Sequence, residues 1–265
     1  MENEIYDLIG RLQEGGIDGL DVLKWAAPIA SFGDPAISRI ATLGLNPSDK
    51  EFTDNSGNEL NGVNRRFHTL KSLNLKNWGE TTPDQVSMIA QQCRDYFSRN
   101  PYDNWFKRLD FLISGTSLSY YFPSNEACHL DLVPFATGIK WSMLSTKQKK
   151  SLLSKYGDIL GKLINISRIK VLVLNGRAVV NTLSQISDVD YCVIEQPTWK
   201  LQRRGENFIA GFSYEGTIHR IGTIQLNNEI SILGFNHNIQ SSFGVTSYVQ
   251  SQIRLWITEK SKQLL

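Results

Sequence analysis

The chain has 265 residues, of which 41% are hydrophobic and 20% charged, and its formal net charge at pH 7 is +2. This composition is that of a folded globular protein and excludes a disordered chain. The near-neutral charge permits a nucleic-acid partner, but any such contact must come from a local basic face. The three cysteines include no Cys-x-x-Cys pair, so a disulfide framework, a zinc knuckle and a four-cysteine iron–sulfur cluster have no support.

No apolar run in the sequence is long enough to cross a membrane, and the first residues lack the pattern of a secretory signal. We therefore expect a cytoplasmic protein without a membrane partner. The lack of repeats and low-complexity linkers predicts one domain over residues 1–265, acting as a monomer. No metal or cofactor is expected.

The first half of the chain has the spacing of several helices and one buried strand. Residues 1–36 predict two short N-terminal helices, because apolar side chains recur there at helical intervals. Residues 37–45 predict a strand that ends where proline follows Asn46. Two more helices are predicted, one from about residue 64 and one that begins with the capping pattern Thr82-Pro83-Asp84-Gln85.

The second half predicts three further strands, two helices and an antiparallel meander. Apolar runs bounded by turn residues indicate the strands, and a stripe of apolar residues on one side indicates each helix. Alternating polar and apolar residues around glycine turns indicate the meander. In chain order these elements are a strand at 128–133, a helix at 147–164, a strand at 169–174, the meander at 191–227, a strand at 230–235 and a helix at 246–260.

Together these elements predict an α/β fold, with a central four-stranded, mostly parallel sheet flanked by helices and an added antiparallel meander. In such sheets the ligand binds outside the carboxyl ends of the strands. Three polar segments are expected at those ends: Gly44-Leu45-Asn46-Pro47-Ser48, His129-Leu130-Asp131-Leu132-Val133-Pro134-Phe135 and Asn236-His237-Asn238-Ile239-Gln240-Ser241-Ser242.

In these segments the sequence resembles the uracil-DNA glycosylase superfamily. The first is similar to its Gly-x-Asn-Pro-Gly motif and the third to its His-Pro-Ser-x-x-Ser motif, and Asn64-Arg65-Arg66-Phe67 is similar to a stretch of the mismatch-specific branch. The resemblance spans residues 37–257 and implies a four-stranded parallel sheet between helices. It also implies an enzyme that flips a base out of DNA and hydrolyses its bond to deoxyribose. It matches Asn46 to the residue that positions water, His237 to the second motif's histidine and Ser242 to its closing serine.

The match departs from the family pattern in two motifs. Ser48 stands where glycine is usual, and His237 is followed by Asn238-Ile239 in place of Pro-Ser. The loop that meets the DNA backbone is therefore expected to have a shape of its own. Gln240 or Ser241 stands where the family inserts a wedge into the vacated stack. Neither is large and apolar, which favours single-stranded or already distorted DNA.

The chemistry fits these residue types without the family. A ring N–H of His237 can stabilise the negative charge on a departing base, and the amide oxygen of Asn46 can hold a water beneath C1′. Because a neutral amide is a poor base, the reaction is expected to be dissociative and to depend on positioning. No lysine lies in the three segments, so we expect simple hydrolysis without Schiff-base strand cleavage.

The resemblance puts Asp131 where the superfamily reads its base, with an asparagine in the uracil-specific branch. Uracil presents an acceptor and a donor that suit an amide, whereas cytosine presents a donor and an acceptor that suit a carboxylic acid. Asp131 therefore favours cytosine or a 5-substituted cytosine. In this the chain is similar to bacterial anti-phage glycosylases that excise glucosylated 5-hydroxymethylcytosine. In the alternative, Asp131 caps a neighbouring loop and uracil remains the base.

Further candidates are assigned by residue type. Phe52 and Phe67 are candidates for the ring that stacks on the base, and each can equally be a core residue. Basic residues of the meander can contact phosphates of double- or single-stranded DNA, or simply solvate an exposed ribbon. The full set of candidate DNA contacts is Ser48, Asn238, Gln240, Ser241, Ser242, Lys200, Arg203 and Arg204.

Each motif also has an ordinary explanation when taken alone. Asn46-Pro47 is commonly a strand-ending turn, His237 a surface-loop histidine and Ser241-Ser242 the start of a helix. Three alternatives to a modified-cytosine glycosylase therefore stay open: a uracil or mismatch repair glycosylase, a catalytically silent DNA-binding relative, and a nucleotide-binding α/β protein unrelated to DNA. The sequence lacks a Gly-x-x-x-x-Gly-Lys phosphate loop, which argues against phosphoryl transfer.

Overall fold

Six β-strands form one sheet in a computed structural model that describes residues 1–15, 18–99, 103–203, 207–240 and 244–265. The strands are β1 Ile40–Gly44, β2 Ala127–Asp131, β3 Val171–Asn175, β4 Cys192–Gln202, β5 Phe208–Ile221 and β6 Ile224–Phe235. Their order across the sheet is β2-β1-β3-β6-β5-β4. The α/β class and the mostly parallel sheet are confirmed, although the sheet has six strands where four were expected.

Helices cover both faces of this sheet. The described residues form α1 Glu2–Gln13, α2 Pro83–Arg94, α3 Asp103–Ile113, α4 Thr146–Tyr156, α5 Asp158–Asn165, α6 Arg177–Leu183 and α7 Ser247–Ser261. Alternate residues of the strands face opposite layers: Leu172 and Leu174 pack in one apolar cluster, and Val171 and Val173 pack in the other. None of the helices in the described ranges is long and apolar enough to cross a membrane.

Four of the strands run parallel, so their carboxyl ends meet at one edge of the sheet. β1 pairs in parallel with β2 and β3, and β3 pairs in parallel with β6. The register sets Gly44 beside Asp131 and Asn175 beside Phe235. The three polar segments of the sequence therefore follow strands that end side by side.

The predicted meander is part of the main sheet and not a separate insertion. The end of the predicted meander and the predicted final strand belong to one continuous strand, β6, which pairs in parallel with β3 on one side and antiparallel with β5 on the other. The first half of β6 is mostly exposed, while its second half is mostly buried. This change in burial along one strand made it resemble two elements in the sequence.

Three helix predictions need correction. Residues 18–36 run in turns with isolated bridges to distant segments, and residues 62–64 form only a 3₁₀ turn where an α-helix was expected near residue 64. The helix predicted over 147–164 is two helices, α4 and α5, that meet at Gly157. Both helices bury the same apolar face, so the stripe continues across the break and periodicity does not reveal it.

Capping chemistry located other helices correctly. The α2 helix begins at Pro83 with a reciprocal capping box between Thr82 and Gln85, and α7 follows Thr246, whose hydroxyl accepts from the Val249 N–H. The strands near residues 128 and 169 are also confirmed, with shifts of one or two residues at their ends. The α3 and α6 helices have no counterpart in the sequence prediction.

Gly211→Ala tests how closely β4 packs against β5. A Cβ there would lie 2.2 Å from Trp199 Cβ and 3.0 Å from two Trp199 backbone atoms, and Trp199 is fully buried. We expect Gly211→Ala to lower the free energy of unfolding by about 1–3 kcal/mol, measured by urea denaturation. The matched control is Gly10→Ala on α1, where no atom lies within 4 Å of the added Cβ. The control should be neutral or stabilising by up to about 1 kcal/mol, and equal losses in both variants would contradict this account.

Candidate active site

A cleft of about 860 Å³ opens at the edge where the parallel strands end. Its walls come from the segments that follow β1, β2, β3 and β6, which is the position expected for a ligand site in such a sheet. The lining includes five residues singled out from the sequence: Asn46, Ser48, Asp131, Asn238 and Gln240.

Asn46 is held by its amide nitrogen. Its Nδ2 donates to Thr137 Oγ1 at 3.0 Å, to the Phe135 carbonyl at 3.3 Å and to its neighbour's carbonyl at 3.1 Å. The Thr137 hydroxyl donates its own proton to the Ile139 carbonyl, so it must accept from Asn46. These acceptors identify which end of the carboxamide is nitrogen, and Oδ1 is left as the acceptor for a ligand in the cleft.

His129 and Asp131 converge above Gly44. They lie two residues apart on β2, so both side chains project from the same face of the sheet. Their side chains are 2% and 3% exposed, and His129 Nε2 lies 3.6 Å from Asp131 Oδ1. A Cβ on Gly44 would lie 2.3 Å from Asp131 Oδ1 and 2.9 Å from His129 Nε2. Glycine at this position therefore makes room for the pair.

A buried hydroxyl chain fixes the proton on His129. Thr42 Oγ1 contacts both the Tyr120 hydroxyl and His129 Nδ1, the latter at 2.7 Å. Tyr120 is fully buried, and Thr42 is its hydroxyl's hydrogen-bond partner, so the Tyr120 O–H must donate to Thr42. Thr42 then donates to Nδ1, and the neutral His129 ring carries its proton on Nε2, the atom beside Asp131 and the cleft.

Glu51 is a buried acid in the cleft that sequence reasoning missed. It ends the 3₁₀ turn Asp49–Glu51 after β1, and it is 2% exposed. The Tyr96 hydroxyl donates to its Oε2 at 2.9 Å, and Arg66 Nη1 lies 3.9 Å from the same oxygen. Burial, with a smaller contribution from the charge of Asp131, raises the pKa of Glu51 to about 7. Only the position of Glu51 just beyond the Asn-Pro turn could have drawn notice in the sequence.

The structure corrects the role expected for His237. Its Nε2 donates to the Trp199 carbonyl at 2.7 Å, its ring is 5% exposed, and burial lowers its pKa. A neutral imidazole has one N–H, and here the Trp199 carbonyl uses it. The neighbours Asn236 and Asn238 line the cleft, but the ring of His237 has no proton left to donate to a ligand.

The predicted stacking residues lie in the core. Phe52 and Phe67 are each 1% exposed and pack against one another with ring centroids 5.9 Å apart, outside the cleft lining. Three aromatic rings of the cleft lining instead surround His129, at centroid distances of 5.6, 5.4 and 5.3 Å. These are Phe32, Trp105 and Phe106, of which the last two belong to the unpredicted helix α3.

The candidate DNA contacts are divided by the fold. Lys200 on β4 places its Nζ 3.4 Å from the centroid of the Phe208 ring on β5, and the Arg203 backbone N–H donates to the Asn207 carbonyl. Neither residue is part of the cleft lining. Gln240 Oε1 accepts a hydrogen bond from Asn175 Nδ2, and both residues line the cleft. Ser48 caps the 3₁₀ turn that follows it. Ser241, Ser242 and Arg204 lie outside the described residues.

Comparison with known proteins finds no matching family model and no matching curated protein. Within the part of the chain that the structure describes, no group of three His, Cys, Asp or Glu side chains is arranged to hold a metal ion. Three cations that sequence reasoning did not select line the cleft: Lys140, Lys149 and Arg177.

Gly44→Ala tests the approach of β2 to β1 at the cleft. The added Cβ would overlap Asp131 Oδ1 at 2.3 Å, so Asp131 and His129 must separate or the strands must shift. We expect a loss of about 1–3 kcal/mol in the free energy of unfolding, with altered chemical shifts at His129. The urea midpoint and the His129 ring signals measure the two effects. A variant with parental stability and parental ring signals would show that the glycine is not required.

Glu51→Gln tests the buried acid. Because the folded pKa of about 7 exceeds the ordinary 4.5, the native state binds more protons than the unfolded state between these values. The parent should therefore lose stability as pH rises through this window, by roughly 2–4 kcal/mol, and stay at the lower level above it. Urea unfolding at about pH 4 and about pH 8 measures the drop. The variant should lack the part of this drop that comes from the ionisation of Glu51. An identical drop in both proteins would mean that Glu51 ionises normally.

Proposed function

We propose that the protein is a monofunctional DNA glycosylase, which flips a base into the cleft and hydrolyses its bond to deoxyribose to leave an abasic site. The observation that carries the proposal is the meeting of Asn46 and Asp131 in one cleft at the carboxyl edge of parallel strands. These are the two residues that the resemblance to the uracil-DNA glycosylase superfamily selects for water and for the base. Further support is that β2, β1, β3 and β6 run parallel within the six-stranded sheet, so their carboxyl ends meet at the cleft.

The reaction follows from the cleft's own groups. As the bond between C1′ and the base nitrogen breaks, its electron pair leaves with the base and positive charge develops on the sugar. Asn46 Oδ1 accepts a hydrogen bond from a water and orients that water's oxygen towards C1′. Glu51 lies in the same cleft and is partly ionised near neutral pH, so it can accept the proton that the water loses. No covalent enzyme intermediate is needed.

The cleft also suits an extruded base on a charged strand. The faces of a base are apolar and stack well on aromatic rings, and Phe32, Trp105 and Phe106 supply such rings. Lys140 and Lys149 add positive charge at the same cleft, where the phosphates on either side of a flipped nucleotide would pass. DNA is therefore the proposed partner. Single-stranded or distorted DNA is favoured because neither Gln240 nor Ser241, which stand at the family's wedge position, is large and apolar.

A modified cytosine in phage DNA is the proposed base, and antiviral defence the proposed role. Asp131 supports it, because a carboxyl group suits the exocyclic amine of cytosine as acceptor. The volume of the cleft, about 860 Å³, is well above that of one pyrimidine and leaves room for a bulky 5-substituent. Uracil or mismatch repair is the alternative within the same reaction.

A catalytically silent DNA-binding relative is a second candidate function. It is favoured by the commitment of the His237 ring N–H to the Trp199 carbonyl, since the histidine of the family motif then has nothing to donate. The two candidates differ in whether any base is released.

Asn46→Ala tests the proposed activity. The parent should release a free base, detected by mass spectrometry, and leave alkali-labile sites in at least one DNA of a panel with unmodified, uracil-containing and modified-cytosine strands. The variant should release it at least about a hundredfold more slowly, because its water is no longer held. Asn227→Ala, at the opposite end of β6 from the cleft, is the matched control and should keep the parental rate.

Release of no base from any DNA, with strand binding retained, would favour the silent relative. Equal rates for parent and Asn46→Ala would remove Asn46 from the mechanism. Melting curves of both variants show whether a loss of activity reflects a loss of folded protein.

A further inference from the structure

We infer that the ring N–H of His129 and the carboxylate of Asp131 act as one donor–acceptor pair that binds the edge of the extruded pyrimidine. This rests on the proposed function and names its base-recognition element. The sequence assigned the reading of the base to Asp131 alone, and it assigned the hydrogen bond to the departing base to His237. The geometry gives the donor's part to His129, which the sequence analysis did not select.

The donor proton of His129 lies on the cleft side of its ring. Tyr120 donates to Thr42 and Thr42 donates to His129 Nδ1, so the single proton of the neutral ring lies on Nε2. That atom is 3.6 Å from Asp131 Oδ1, beyond the range of a normal N–H to oxygen bond. The N–H is therefore near the carboxylate without being satisfied by it, and it remains available to a ligand in the cleft.

His129 Nε2 and Asp131 Oδ1 lie side by side as a donor and an acceptor. Both atoms converge on the point where a Cβ of Gly44 would stand, at 2.9 Å for His129 Nε2 and 2.3 Å for Asp131 Oδ1. A donor and an acceptor held side by side match two adjacent groups on the edge of a flat heterocycle, as in bidentate base contacts. Burial of both side chains, at 2% and 3% exposed, excludes competing water and strengthens each bond.

A pyrimidine base has an edge that matches this pair. Cytosine presents an acceptor at N3 beside a donor at its exocyclic amine, and uracil presents O4 beside N3–H, which is the same pair in the opposite order. An ionised carboxylate can only accept, so Asp131 alone would need a proton to read either edge. With His129 as donor, Asp131 has only to accept a hydrogen bond from the base.

The pair also bears on the rate of cleavage. The negative charge of a departing pyrimidine spreads from its glycosidic nitrogen over the ring nitrogen and the oxygens of the edge. An N–H aimed at that edge gains strength as the charge develops, and this lowers the barrier more than it improves ground-state binding. Removal of the donor should therefore reduce kcat more than it raises KM.

Two variants at His129 separate donation from packing. His129→Leu removes the ring N–H, whereas His129→Gln keeps an N–H donor near the position of Nε2. On the DNA that the parent cleaves best, we expect His129→Leu to lose about tenfold to hundredfold in kcat/KM, mostly in kcat, and His129→Gln to recover part of the loss. Asp131→Asn should change the ratio of cytosine-type to uracil-type excision, and the direction of the change reports which base edge the pair reads.

The tautomer of His129 is measured on the parent protein without DNA. The ¹⁵N signals of the ring, correlated with its carbon-bound protons, should show the proton on Nε2 and a bare Nδ1. A proton on Nδ1 would overturn the inference, whether or not the protein is a glycosylase. Unchanged kcat and base preference in folded His129→Leu and Asp131→Asn, with an active parent, would overturn it and leave the glycosylase proposal standing. A parent that releases no base from any DNA overturns the proposed function itself, and the reader role with it.

Discussion

The close approach of β2 to β1 at Gly44 is the constraint on which the candidate site depends. Parallel pairing brings the ends of the two strands to the same edge, with Asp131 directly opposite Gly44. The space that a side chain on Gly44 would fill is taken by Asp131 Oδ1 and His129 Nε2. Asn46 follows two residues later and reaches across to the segment after β2, where Thr137 and Phe135 accept from its amide. One strand pair thus arranges the acceptors, the donor and the carboxamide around one cleft.

The hydrogen-bond partners of His237 and His129 give these two histidines different properties, although the sequence alone does not distinguish them. Each is buried and each ring has a strong partner, but the partners differ in kind. The Trp199 carbonyl can only accept, so it takes the single N–H of His237, whose pKa is lowered by burial. Thr42 can donate, and the buried Tyr120 hydroxyl obliges it to do so, which leaves the N–H of His129 on the cleft side. The position of one proton in each ring thus decides which histidine can act on a ligand.

Local signals in the sequence located what local chemistry determines. The capping box at Thr82 and the apolar runs of β1 and β3 are confirmed, and strand ends pointed to Asn46 and Asp131 as neighbours. The rings that line the cleft could not be predicted, because Phe52 and Phe32 have the same character in a sequence and only packing decides which of them faces the cleft. Glu51 and His129 were missed for a related reason. A buried polar residue looks like a surface one until its tertiary partners are known.

The antiparallel edge of the sheet positions the segment after β6, which forms one wall of the cleft. The Asn236 side chain accepts from the Phe212 N–H and donates to the Ala210 carbonyl, so the loop after β6 is anchored along β5. Beside it, Gly211 allows Trp199 to pack close to β5, and the Trp199 carbonyl then reaches His237. The extension of the sheet therefore anchors the loop after β6 and engages the ring N–H of His237, whereas the ring N–H of His129 on β2 stays on the cleft side.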